Sequence, residues 1–211
     1  MNRRPRSSPH SLVTAAAFTA LACGGAPVSR PPSASAPPPA VSCTPKPELA
    51  AIAEMVGEWR GDGWVDTPSG KRERFVQTEK IRCAVDGEVL LIEGLGHADT
   101  GGGARGRIVH QALGVISYDR ATAVHRMRAF SAGRPTVDSD LVPGEAGELV
   151  WGMTVGGNTK IRFRIRIAGG KWREIGEMSH QGSPWRAFLE MNLRRVDPAQ
   201  AVAERGDRSA P

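Results

Sequence analysis

Between Met55 and Val196 the chain breaks into short runs in which apolar and polar residues alternate, divided by clusters of Gly, Pro, Asp and Ser. Alternation with a period of two marks a strand with one buried face. The pattern predicts strands over Gly57 to Asp66, Glu73 to Ala84, Glu88 to His97, Arg107 to Tyr118, Val124 to Ser131, Thr136 to Val142, Glu148 to Val155, Thr159 to Ala168, Lys171 to His180 and Trp185 to Val196. The joints carry hairpin chemistry. Pro68-Ser69-Gly70, Asp86-Gly87, Pro143-Gly144, Gly156-Gly157-Asn158, Gly169-Gly170 and Gln181-Gly182-Ser183 preset a turn or tolerate a positive φ. Only Pro47 to Val56, with Leu49, Ile52, Ala53 and Val56 on one stripe, predicts a short helix, which would plug one end of a barrel.

Roughly ten antiparallel strands behind one short N-terminal helix describe an all-β fold, an up-and-down β-barrel, with a two-sheet sandwich as the competitor. The chain ends favour the barrel. Gly57-Glu58-Trp59-Arg60-Gly61-Asp62-Gly63-Trp64 opens the first strand and Leu193-Arg194-Arg195 closes the last, and a sheet that curls shut makes these strands neighbours. Parity sets Trp59 with Gly61 and Gly63 on one face, and Leu189, Met191, Leu193 and Arg195 on one face of the last strand. Arg195 laid across the Trp59 indole would seal the barrel by a cation-π contact of ~0.5 to 2 kcal/mol.

Polar residues inside apolar strands are the candidates for a ligand-binding lumen. Gln77 and Glu79 share a face with Phe75 and Ile81, and Glu93 lies between Leu91 and Leu95. Glu174 follows Trp172 at a spacing of two, Glu190 shares a face with Phe188 and Asn192, and Tyr118 ends an apolar run. Buried carboxylates need partners, so a ring of Glu with Arg or Tyr would orient a polar ligand head in an apolar cup. A solvated outer face is the alternative for each.

The flanks speak of export. Arg3, Arg4 and Arg6 precede an apolar run, Ser11 to Ala22, that is too short to span a bilayer. It ends in Ala20-Leu21-Ala22-Cys23, which resembles the box at which bacterial lipoproteins are cleaved and lipidated on Cys, here Cys23; the alternatives are ordinary signal-peptidase cleavage after an Ala-x-Ala-like site, or a cytosolic protein with an unstructured start. Residues 1–23 are thus expected to be a signal peptide, 24–47 a Pro/Ser/Ala-rich disordered tether, 48–196 the barrel, and 197–211 a disordered tail. The implied location is an anchored lipoprotein of the outer membrane facing the periplasm. There are three cysteines, and setting Cys23 aside leaves Cys43 and Cys83, a pair that an oxidising compartment can close into a disulfide or leave as a free thiol and a buried residue.

A net charge of +6 does not indicate nucleic acid, because three of the positive charges belong to the signal and the rest are spread among acids. Arg162, Arg164 and Arg166 alternate with Ile161, Phe163, Ile165 and Ile167, a strand with a cationic outer face that is either simply solvated or touches anionic lipid head groups. The loop Gly101-Gly102-Gly103-Ala104-Arg105-Gly106 lacks the Lys-Ser/Thr of a phosphate loop. His97, His110 and His125 lack metal-ligand spacing, and no nucleophile elbow occurs, so neither metal nor catalysis is expected.

The runs Met55-Val56-Gly57-Glu58-Trp59-Arg60-Gly61-Asp62-Gly63, Val76-Gln77-Thr78-Glu79, Leu90-Leu91-Ile92-Glu93-Gly94, Ala112-Leu113-Gly114-Val115-Ile116-Ser117-Tyr118-Asp119 and Glu190-Met191-Asn192-Leu193-Arg194-Arg195 resemble a bacterial family of uncharacterised, lipocalin-like domains of the calycin type. The resemblance implies a barrel with a lumen and no established activity. More distantly the chain is similar to nitrobindin-like haem-binding barrels, which share the Gly-x-Trp-x-Gly opening and the Leu-x-Arg close. Those carry an axial His near the last strand, where this chain has none, and His180 only precedes it. The expectation is a lipid-anchored barrel that binds a small hydrophobic or amphipathic ligand without a cofactor. The alternatives are an enzyme using luminal Glu residues as acid and base, or haem held by His180 or His97.

Overall fold

The computed structural model describes residues 43–101 and 105–197. The expected signal, Cys23, the expected tether up to residue 42 and the expected tail beyond Asp197 lie outside the described residues. A first 3-10 helix, Pro47–Met55, precedes β1 (Gly57–Asp66), β2 (Arg72–Ala84), β3 (Val89–Asp99), β4 (Arg105–Asp119), β5 (Val124–Ser131) and β6 (Val137–Pro143). After a 3-10 turn at Glu145–Gly147 come β7 (Leu149–Val155), β8 (Thr159–Ala168), β9 (Lys171–His180) and β10 (Arg186–Arg195). All pairs are antiparallel and the sheet closes in the order β1-β10-β9-β8-β7-β6-β5-β4-β3-β2. Each strand pairs with its chain neighbour, so short hairpins make nearly every joint. Only the β1–β10 seam, running from Trp59 opposite Arg195 to Val65 opposite Leu189, joins distant parts of the chain and abolishes the sheet's free edges.

The helix closes one end by a period slightly different from the expected one. Leu49, Ile52 and Met55 are the residues it buries, at 1–2% exposure, a three-residue spacing on which side chains of a 3-10 helix stack. Ala53 and Val56, expected on an α-helical stripe, are only half-buried. The last turn leaves carbonyls that need donors, and the seam supplies them. Trp59 Nε1 donates to Met55 O at 2.8 Å, while the Arg195 guanidinium donates to Glu54 O and Val56 O and lies 4.2 Å above the Trp59 ring. Gly57 makes this approach possible. Its φ of 141° suits glycine, and a Cβ there would strike the guanidinium.

Beneath the helix, Trp59 meets Trp172 edge to face at 5.6 Å among Ile81, Leu90, Ile116 and Leu193, all at most 2% exposed. Cys43 and Cys83 form a disulfide that ties the chain entering the helix to the end of β2. With a sequence separation of 40, chain-entropy arguments give this cross-link roughly 4 kcal/mol.

Candidate functional site

One step further from the helix, the inward faces of β2 and β9 place polar groups where the alternation calls for apolar ones. Gln77, Glu79 and Glu174 are 0%, 5% and 9% exposed. Gln77 Nε2 donates to Glu79 Oε1 at 2.6 Å, and Trp172 Nε1 donates to Glu174 Oε2 at 3.3 Å. These bonds do not satisfy the cluster. Gln77 Oε1 and Glu79 Oε2 are buried with no partner among the described residues, an arrangement that costs about 1–3 kcal/mol per group. Space for the pair is made on β3, where Gly94 stands opposite Glu79 and Gly96 opposite Gln77. A Cβ on Gly94 would lie 2.8 Å from Glu79 Oε1, and one on Gly96 would collide with Gln77 Oε1.

Burial sets the charge state of this layer. It pushes the Glu79 carboxyl up to about 7 against the opposing Gln77 hydrogen bond. It pushes Glu174 up to about 8, helped by the nearby Glu79 carboxylate and opposed by the Trp172 N–H. His110, whose Cβ lies close to the same Gly96 position, is held below its usual range by burial and then by the charge of Arg134, so it is uncharged at neutral pH. Near pH 7 the layer is therefore only partly ionised, with Glu79 close to the midpoint of its titration and Glu174 mostly protonated. Each carboxyl can accept a hydrogen bond from a guest and, in its protonated form, can also donate one.

The half of the barrel beyond this layer is aromatic and less enclosed. Trp151 of β7 stacks on Phe163 of β8 with ring centroids 4.5 Å apart, and Phe163 meets Phe188 of β10 edge to face at 6.0 Å. All three are half-buried, in contrast to the residues under the helix. Trp151 Nε1 is a further buried polar atom without a partner. Gly176, inward on β9, leaves the space into which Phe163 and Phe188 fit, since a Cβ there would meet their rings at 3.1 and 3.0 Å.

The structure brings Gln77, Glu79 and Glu174 together and separates them from the other sequence candidates. Glu93 turns outward, half-exposed, and faces Arg82 at 3.7 Å. Leu91 and Leu95 flank it on the outer face of β3, so apolar neighbours did not identify the inside. Glu190 also turns outward and receives Arg173 Nε at 2.9 Å. A register shift between Ala187 and Leu189 swings Phe188 inward and breaks the parity that had grouped Phe188 with Glu190. Tyr118 packs against the core, but beside the helix, edge to face with His125 at 5.2 Å, whose Nε2 bonds Glu48 O at 2.8 Å. Neither histidine considered for haem joins the polar layer. His97 shares the outward face of Glu93, and exposed His180 bonds Thr159 Oγ1 through Nδ1 at 2.9 Å. Among the described residues no group of three or more His, Cys, Asp or Glu could hold a metal ion. Sequence reasoning missed Gly94, Gly96, His110 and Trp151 as parts of the site. The available signal was glycine inside a strand, a mark of close approach by another group.

No family model matches the chain, and no curated protein is similar to it in sequence. Among solved structures, the M. tuberculosis protein Rv2717c is 17% identical, with the match covering 73% of this chain and 100% of that one at a TM-score of 0.59. The S-type phycobiliprotein lyase CPES of Guillardia theta is 13% identical over 68% of this chain and 89% of its own, with a TM-score of 0.48. The likeness to Rv2717c is one of fold.

Proposed function

We propose that this barrel binds a small, largely apolar ligand whose polar head carries hydrogen-bond donors, a hydroxyl or an amine, and that the head rests on Gln77, Glu79 and Glu174. The observation that carries the proposal is the pair of buried, partnerless acceptors, Gln77 Oε1 and Glu79 Oε2, beneath the half-buried wall of Trp151, Phe163 and Phe188. A donor-bearing head would remove the cost of both atoms, whereas a carboxylate head would bring no donor to them and would meet the partly ionised Glu79. The apolar body would lie against the aromatic wall, as in most small-molecule sites. No step of chemistry is needed for this role. The same proposal has the barrel exported and anchored in the outer membrane through an acylated Cys23, for which the run Ala20-Leu21-Ala22-Cys23 is the support.

Displacement of an uncharged polarity-sensitive dye from the full chain tests the ligand class. Long-chain alcohols and amines are expected to displace the dye at neutral pH more strongly than carboxylates of equal length, and Gly94→Ala, which drives a Cβ into Glu79, is expected to abolish the preference. A preference for carboxylates, or no displacement by any amphiphile, overturns the ligand class. An unmodified Cys23 in protein from the native host, read by mass spectrometry, overturns the anchor alone.

A further inference from the structure

Arginines on this barrel are generally answered by acids. Arg126 and Arg128 of β5 face Asp138 and Asp140 of β6, Arg107 meets Glu73, Arg162 meets Glu177 and Arg164 meets Glu148. One patch breaks the rule. On the outer face of β8, β9 and β10, Arg166 stands directly across from Arg173, and Lys171 directly across from Arg194. Like charges in directly opposed cross-strand positions are destabilising. Glu190 engages Arg173, but the side chains of Arg166, Lys171 and Arg194 form no ion pair or hydrogen bond among the described residues. Between them runs a groove of about 450 Å³, whose wall also includes Asn192 and Asp62, the latter facing Arg74 at 3.5 Å. The cations are thus gathered around a concave space rather than spread over a convex one.

We infer that this groove takes the phosphate-bearing head group of an anionic phospholipid at a membrane surface. Three cations without a direct ion pair among the described residues, and an amide, suit a phosphate diester with its polar substituent. Position selects a membrane over a free phosphate. The groove reaches the turn at Gly169-Gly170, where Arg195 N bonds Gly170 O, which is the end closed by the helix. The first described residues, from Cys43 to Lys46, lie at that same end, held by the disulfide to Cys83 and by Lys46 N bonding Gly87 O. Cys43, the residue through which the preceding sequence is joined to the barrel, is thus at the end that carries the cations. Each basic residue at an anionic surface adds to binding, and the effect fades with salt over about 10 Å at 0.1 M. The groove lies on the outer face, so the inference stands or falls independently of the luminal ligand.

The test uses the full chain carrying Cys23→Ser, so that no acyl group contributes, sedimented with vesicles of phosphatidylglycerol mixed with phosphatidylcholine or of phosphatidylcholine alone. Binding is expected only to the anionic vesicles, weakening as salt rises. The combined variant Arg166→Gln, Lys171→Gln, Arg194→Gln is expected to lose about a hundredfold in affinity at low salt. A control of equal charge change on another part of the barrel, Arg82→Gln, Arg107→Gln, Arg128→Gln, is expected to change binding by no more than about twofold. Equal losses in the two variants would reduce the effect to net charge and overturn the site. Absence of binding to anionic vesicles overturns it as well, and if glycerol phosphate then binds in solution, the groove serves a free phosphate instead.

Discussion

The two halves of the barrel interior are built from the same strands and differ in how completely they satisfy themselves. Under the 3-10 helix, Trp59, Ile81, Leu90, Ile116 and Leu193 are at most 2% exposed, and the helix carbonyls find Trp59 and Arg195 as donors. Beyond Glu79 the wall is half-buried, and the interior holds buried polar atoms on Gln77, Glu79 and Trp151 that have no partner among the described residues. A closed region of the first kind contributes stability. A region of the second kind forgoes stability that an apolar Leu or Met at the same positions would supply, and such departures concentrate where proteins bind other molecules. The contrast sets the satisfied Trp59–Arg195 pair apart from the unsatisfied layer around Glu79, on which the proposed ligand site rests.

Trp59→Ala tests the closed half and carries the largest effect. Removing an indole that fills the floor, bonds Met55 O and supports Arg195 is expected to cost about 3–5 kcal/mol, read as a lower midpoint in thermal or denaturant unfolding. Dye binding well below the melting temperature is expected to persist; its loss in a still-folded variant would erase the division between the halves.

Glu174→Gln tests the other half through pH. In the unfolded chain both carboxyls titrate near 4.5, but burial holds Glu79 at about 7 and Glu174 at about 8 in the fold. The folded state then binds more protons than the unfolded one, so the contribution of these groups is most favourable below about pH 4.5 and declines as pH rises to their folded values. An amide at 174 does not titrate. Variant and parent should melt alike near pH 4, and by about pH 8 the variant should be more stable by a few kcal/mol. Parallel melting curves across that range would mean that Glu174 is solvated rather than buried.

Trp151→Phe is the smallest test. It keeps an aromatic face for Phe163 and deletes the partnerless N–H, so stability should stay within about 1 kcal/mol of the parent, on the side of a gain. A clear loss would show that Nε1 has a partner, such as an ordered water, and would move Trp151 from the unsatisfied half to the satisfied one.

Much of the site was legible where the alternation was unbroken. Gln77 and Glu79 share the parity of Phe75 and Ile81, and Glu174 that of Trp172, so their inward placement follows from neighbours of unambiguous burial. Glu93 was illegible because Leu91 and Leu95 make the outer face of β3 as apolar as the inner one. Glu190 was illegible because a bulge is a local backbone event that changes parity without an obvious residue to announce it. The helix stripe shifted by the small difference between three and 3.6 residues per turn, which short apolar segments do not resolve.

By itself the sequence determined the strand series, the hairpin joints and the kinship of the first and last strands, because period-two burial and turn preferences are local properties of the chain. Tertiary structure alone decided which carboxyls lost their water, which cations were left facing one another across strands, and that Cys43 meets Cys83. Desolvation and cross-strand opposition depend on register and on what the opposite wall places within a few ångströms, and a single chain's alternation does not encode either.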